Sequence, residues 1–390
     1  MTTELMDKSQ LDSRVRWVDV IGFAVLHIAC IGVFWSGITP AAVVLFFVLY
    51  AIRVFGITAG FHRYLAHRGF KTSRVFQFLL VFMGQMSLQR GALWWAAKHR
   101  EHHRDSDLPS DAHSPRHYGF FGSHIGWIFT PQRSAADYEM LADFTRYPEL
   151  RWLDRHHYTP GLFAAVVCFL IAGWPGFFFG FLCSTVAVYH VTFMVNSLAH
   201  VIGRQRYLTG DDSRNNWLIA LLTFGEGWHN NHHYYPGSAR QGFFWWEIDI
   251  SYMILKFLSW FGIVWDLRQP PATVLNGEKR PSSAIIDKVA DHLASGWSSD
   301  AIAESIRQRY RDRGHRLEEL RERIHQAWGD AESYFQDLDF PELPSLEEIR
   351  QHAQGMFANT PSLEEAVNRA RQRLLESVSR SLMVPQPALA

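Results

Sequence analysis

Residues 160–195, PGLFAAVVCFLIAGWPGFFFGFLCSTVAVYHVTFMV, contain no Asp, Glu, Lys or Arg. About 20 apolar residues let a helix cross the hydrocarbon core of a bilayer, so this run is long enough to cross twice. Trp174-Pro175-Gly176 offers the turn between the two passes. Two earlier runs have the same character, WVDVIGFAVLHIACIGVFWSGI from Trp17 and PAAVVLFFVLYAIRVFGITAGF from Pro40. Arg53 lies within the second, where a charge must face protein or reach toward the interface. The expectation is an all-α integral membrane protein with four transmembrane helices in two hairpins, at about 17–38, 41–61, 160–174 and 176–196. The shorter run at 75–88 reads as a buried or interfacial helix.

Four spans place both termini on one side. Arg63, Arg68, Lys71 and Arg74 follow the second span, Arg146, Arg151 and Arg155 precede the third, and Arg204 and Arg206 follow the fourth. This bias marks those segments, and with them the termini, as cytoplasmic, and the expected location is a bacterial inner membrane. The first sixteen residues are polar and mixed in charge, so they read as a cytoplasmic tail and not as a cleavable leader. Residues 17–275 form the membrane domain, with cytoplasmic parts at 62–158 and 197–275. From 276 to 390 the chain becomes a charged helical extension. SSAIIDKVADHL, SSDAIAESIRQRYRDRG and RLEELRERIHQAW carry apolar residues at helical spacing. PSLEE, at Pro344 and Pro361, has the pattern of a capping box and predicts two helix starts. Equal numbers of basic and acidic residues, 38 each, argue against a nucleic-acid binder. Cys30, Cys168 and Cys183 show neither paired nor C-x-x-C spacing, so neither a disulfide framework nor a thiolate metal site is suggested.

Histidines concentrate at the span ends. In HREHH and HNNHH, His99, His102 and His103 repeat the i, i+3, i+4 spacing of His229, His232 and His233, which on a helix shares one face. His62 and His67 in HRYLAH are five apart, so on an ideal helix they point away from each other. At least one is then expected where the helix frays. His200 follows Asn196 by one turn. Nine imidazoles are too many for one ion and about right for two, and an all-nitrogen set suits iron ions that activate dioxygen.

GITAGFHRYLAH, HREHH, FMVNSLAH and GEGWHNNHH, in this order between apolar hairpins, closely resemble the membrane-bound fatty acyl desaturases, in particular the bacterial type of the acyl-CoA delta-9 branch. SDAHSPRHYGFFGSHIGW and DDSRNNW add to the resemblance, which covers about residues 17–270. It implies an oxidoreductase whose cytoplasmic helical cap holds a di-iron centre. Nine residues would ligate the metals: His62, His67, His99, His102, His103, His200, His229, His232 and His233. Asn196 would act through water, and O2 would be co-substrate. The implied reaction removes two hydrogens from neighbouring methylenes and leaves a cis double bond. A related di-iron hydroxylase of lipid or alkane-like substrates is the alternative within enzymes, and a membrane metal-binding protein the alternative outside them.

Ligating imidazoles need an acceptor for their second nitrogen, and Glu101, Asp105, Asp107, Asp212 and Glu226 are the carboxylates considered for it. Phe46 and Tyr50 lie on one face of the second span, with Tyr50 twelve residues before His62, or about 18 Å at helical rise. They are placed to close an acyl tunnel. Arg90 and Lys98 are offered to the phosphates of an acyl-CoA, although Ala97 stands where the acyl-CoA members carry charge. Trp94 and Trp95 are read either as lining the tunnel entrance or as anchors at the membrane interface, and Trp228 as a tunnel wall. With no haem motif and no cysteine cluster in the chain, electrons must come from a separate ferredoxin, rubredoxin or cytochrome-type donor.

Overall fold

The computed structural model of the protein describes residues 15–312, 322, 324, 343–358 and 360–383. It is mostly helical. Three helical stretches are long and apolar enough to cross a membrane: Trp17–Ser36, Pro40–Ala66 and Thr159–His200. The first joins α1 (Trp17–Ala29) to α2 (Gly32–Ser36) and buries none of its residues in the protein. The second opens where Thr39 accepts the Ala42 amide and Pro40 takes the first helical position, which needs no amide donor. It runs as α3 (Pro40–Phe55) into a π-helix at Gly56–Ala66. Arg53 faces the protein as expected. It is wholly buried, lies over the Phe181 ring at 4.9 Å and donates to Ser184 Oγ at 2.7 Å.

The short apolar run forms a separate helix, α4 (Arg74–Gln85), capped by Ser73, and the third stretch is a hairpin of two limbs. The limbs themselves reverse at Ala172 and Gly173, two residues before the predicted turn. Gly173 takes φ 59°, a left-handed conformation that favours glycine. Pro175 therefore opens the returning limb, where its missing amide costs nothing. That limb continues through a second π-helix, Gly176–Cys183, to Asn196. At Gly176 the limbs approach so closely that a Cβ would meet the Cys168 carbonyl at 2.2 Å.

Downstream of α4, α5 (Ala92–Asp105) packs with it against the first π-helix. The approach is closest at Gly56, where a Cβ would lie 2.2 Å from the Gly84 nitrogen. A two-residue antiparallel pair, β1 (Lys71–Thr72) with β2 (Val264–Trp265), ties the chain behind the first histidine pair to its return after helix Ile250–Trp260. Phe61, Leu65, Leu80, Leu93 and Leu153 are fully buried in the core beneath these elements.

Two compact units divide the chain: Met1–Arg206 with Asp212–Leu275, and Tyr207–Asp211 with Asn276–Ala390. In the second, the helix Ser283–Ala294 is capped by Ser282, and Ser299–Asp312 follows. Ser345 and Glu348 form the predicted capping box before Leu346–Met356. The second PSLEE does not behave as predicted, because Pro361 starts the helix Pro361–Met383 and Ser362 lies inside it. Ile286, Val289, Ile349, Ala353 and Val367 form this unit's core with Leu208. The predicted helix RLEELRERIHQAW, apart from Glu322 and Ile324, lies outside the described residues.

Candidate metal centre

His62 and His67 converge because their helix is not an α-helix. In the π-helix the His67 amide donates to the His62 carbonyl at 3.1 Å, so five residues make nearly one turn. The two rings lie 4.9 Å apart instead of diverging as on an ideal helix, and His67 stands at the C-cap, at the helix end where one of the pair was expected. α5 carries His99, His102 and His103, and a one-and-a-half-turn helix, His229–Tyr234, carries His229, His232 and His233.

These rings fall into two groups whose ligand nitrogens all lie within 4.8 Å of one another. One contains His62, His67, His99, His103 and His232, the other His102, His200, His229 and His233. The boxes cross over. Each gives its i, i+4 pair to one group and its i+3 histidine to the other. Within the first group, Nε2 atoms face each other at 2.9 Å for His62–His232, 2.9 Å for His67–His99 and 2.8 Å for His103–His232. In the second, His200 and His229 face at 3.0 Å. Asn196 ends its helix one turn before His200 and is half-buried.

Buried carboxylates hold the second ring nitrogen of three of these histidines. Glu226 pairs with His62 Nδ1, Asp107 with His200 Nδ1 at 3.1 Å, and Asp111 with His102 Nδ1 at 3.0 Å. A neutral ring that donates from Nδ1 keeps its lone pair on Nε2. Lone pairs that face each other at about 3 Å repel unless a cation lies between them. The donor set therefore suits two metal ions, one per group.

The supports are themselves supported. Arg63 donates to Glu226 at 3.0 Å and to Asp249 at 2.8 Å, and Gln241 donates to Glu226 at 3.1 Å. Asp107 accepts from the Asp212 amide at 2.8 Å, while the Asp212 side chain pairs with Arg116. Glu101 pairs with Lys98 at 2.5 Å and Asp105 with Arg104 at 2.8 Å. Asp111 and His113, which pair at 3.0 Å, were not singled out as supports from sequence; the signal lay nine residues beyond His102 in DAHS. Asn230 and Asn231, between the histidines of HNNHH, anchor that helix. Asn230 accepts from the Arg206 amide, and Asn231 accepts from Asn215 at 2.8 Å and donates to Glu247 at 2.8 Å, pinning the histidine helix.

Burial, reinforced by neighbouring imidazoles, pushes His67, His99, His103 and His232 well below the usual histidine range. They are neutral near pH 7, as ligation requires. Burial alone would raise Glu226, but His62 and Arg63 hold its carboxyl below the ordinary range. Likewise, burial opposes ionisation of Asp111, yet His102 and His113 hold it well below that range. Burial pushes the His113 ring down to about 4 against the pull of Asp111.

Around the centre, Trp95 stacks on His99 at 5.1 Å. Trp94 stacks on Trp127, with Arg90 over its ring at 4.7 Å and Asp19 3.3 Å from the same arginine. Trp228 donates to the Ile248 carbonyl, and Tyr50 to the Leu222 carbonyl at 2.7 Å. Phe46 stacks between Tyr50 and Phe179.

The sequence pattern of the fatty acid desaturases matches residues 38–249, a span that holds all nine histidines. The chain belongs to the fatty acid desaturase family. It is similar to the sn-2 palmitoyl-lipid 9-desaturase of Nostoc sp., with 34% identity over 64% of this chain and 89% of that protein. Against the sn-1 stearoyl-lipid 9-desaturase of Synechocystis sp., identity is 36% over 70% of this chain and 87% of the relative. An acyl-CoA 5-desaturase of Anemone leveillei is 37% identical over 63% of this chain and 77% of its own. This desaturase is thus an oxidoreductase acting on fatty acyl chains.

Proposed function

We propose that the desaturase introduces a cis-9 double bond into a saturated acyl chain at a di-iron centre held by the nine histidines, with Asn196 reaching the metal through water. The two groups of facing ring nitrogens carry this reading. Bound iron would supply the oxidising power that removes hydrogen from an unactivated methylene with O2 as oxidant. The chain's residues do the rest. Glu226, Asp107 and Asp111 hold three tautomers with Nε2 inward, and Arg63 and Asp249 fix Glu226. Trp95, stacked on His99, shields the first group, and Phe46 with Tyr50 closes the far end of the acyl path.

Glycerolipid is the carrier we favour. Lys98 and Arg90, the cations available to CoA phosphates, are each held by a carboxylate, Glu101 and Asp19. The relatives named above as 9-desaturases are both acyl-lipid enzymes. In this reading four spans cross a bacterial inner membrane with both termini cytoplasmic. Residues 62–158 and 197–275 form the helical cap, and 276–390 an appended cytoplasmic unit. A separate protein supplies the electrons.

Metal analysis of the purified protein tests the centre, with two irons per chain expected. Zinc at one per chain would contradict it. Radiolabelled stearate chased in expressing cells tests the carrier: unsaturated label should arise first in glycerolipid, and first appearance in acyl-CoA would overturn that choice.

A further inference from the structure

A cavity of about 440 Å³ opens on the first unit, lined in part by Tyr64 and Arg68, which are chain neighbours of His62 and His67. Its lining carries four cations, Arg68, Lys71, Arg146 and Arg268, against two carboxylates, Asp143 and Asp266. Arg68 pairs with Asp143 at 2.6 Å and Lys71 with Asp266 at 2.8 Å. Arg146 and Arg268 have no carboxylate partner among the described residues, so the rim keeps two uncompensated positive charges. The floor is aromatic: Tyr64 meets Phe70 at a tilt and Phe144 edge-on, each with ring centroids 5.3 Å apart.

The wall of this cavity is bonded directly to the metal centre's ligands. Arg68 follows His67 in the chain, so their Cα atoms are about 3.8 Å apart. Arg100, next to His99, donates to Asp143 at 3.1 Å and to the Leu65 and Ala66 carbonyls. Tyr64 is two residues from His62. A molecule seated here has a covalent or hydrogen-bonded route one or two residues long to three of the five histidines. Desaturation with O2 requires two electrons from outside the chain.

We propose that this basic, aromatic-floored groove is the docking site of the electron donor, a small acidic redox protein whose carboxylates meet Arg146 and Arg268. The proposal rests on the desaturase reading above and adds the partner's place and charge. Charge complementarity at a rim governs encounter rate and its salt dependence, so weakening is expected in association and not in chemistry.

The test uses the full-length iron-loaded protein with two acidic probes, a [2Fe–2S] ferredoxin with its reductase and a rubredoxin. The double variant Arg146→Glu/Arg268→Glu is compared with wild type and with Arg380→Glu on the other unit. At least one probe should bind wild type with an affinity that falls steeply with salt. In the double variant binding and KM for the donor should weaken about tenfold or more, with the salt dependence flattened. Arg380→Glu should change neither. Dithionite-driven single turnover should yield equal product from all three proteins. Unchanged donor binding in the double variant, no binding of either probe to wild type, or an equal loss in the dithionite assay would overturn the proposal. Donor binding that behaves as expected without product from dithionite-reduced wild type would count instead against the desaturase reading.

Discussion

At the residue scale, the proposed metal-ligating histidines lean on buried carboxylates outside the two imidazole groups. Asp111 accepts from the His102 ring and from the His113 amide and lies beside the His113 ring, so Asp111→Asn exchanges a charged acceptor for a neutral side chain with a single acceptor oxygen. Loss of such a support costs about 10- to 100-fold in metal affinity. Iron retained after dialysis against a graded chelator should show that fall, with near-native helicity by circular dichroism. The metal-free protein should also be acid-sensitive. His67, His99, His103 and His232 titrate far below the ordinary 6.5 when folded, so below that pH the unfolded chain binds more protons. Stability is then fully present above about pH 6.5 and is lost as pH falls from there. Thermal unfolding in detergent from pH 8 to pH 5 should show the midpoint flat at first and then dropping; a midpoint that rises on acidification would refute it.

At the element scale, the first π-helix is what turns a five-residue spacing into a convergent pair. It lies against α4 through Gly56 and Gly84, where no side chain fits. Gly56→Ala forces a Cβ into the α4 backbone, a strain of about 1–3 kcal/mol or more for overpacking. A lower unfolding midpoint together with lost iron is expected, because the same displacement moves His62; an unchanged midpoint would show that the contact is not tight. This element also marks the limit of what the sequence reveals. The i, i+3, i+4 boxes read directly as one helical face, and the structure forms both as helices. HRYLAH did not, since side-chain spacing assumes the α-helical period and nothing in those six residues announces the wider turn. The hairpin reversal failed more gently. Pro175 and Gly176 signal a turn, but it is Gly173 that supplies the positive φ, and proline simply opens the next limb. Supports such as Asp111 and Asn231 act across distances that only tertiary packing creates, so no local pattern could reveal their partners.

At the scale of the whole molecule, three long apolar helical stretches accompany two histidine groups drawn from four separated segments. Both termini on the cytoplasmic side is the topology this account expects. Alkaline phosphatase fused at either terminus should be inactive and green fluorescent protein bright in cells; active phosphatase at one end only would require an odd number of spans. The central claim is the reaction itself, tied to the histidine groups. Gas chromatography with mass spectrometry of fatty acids from cells expressing wild type or His232→Ala, each with an active donor system, measures both at once. Wild type should add a monounsaturated acid with its double bond at carbon 9, and His232→Ala should remove it at comparable protein levels. A hydroxylated product from wild type, or the same monounsaturated acid from the variant, would contradict the account.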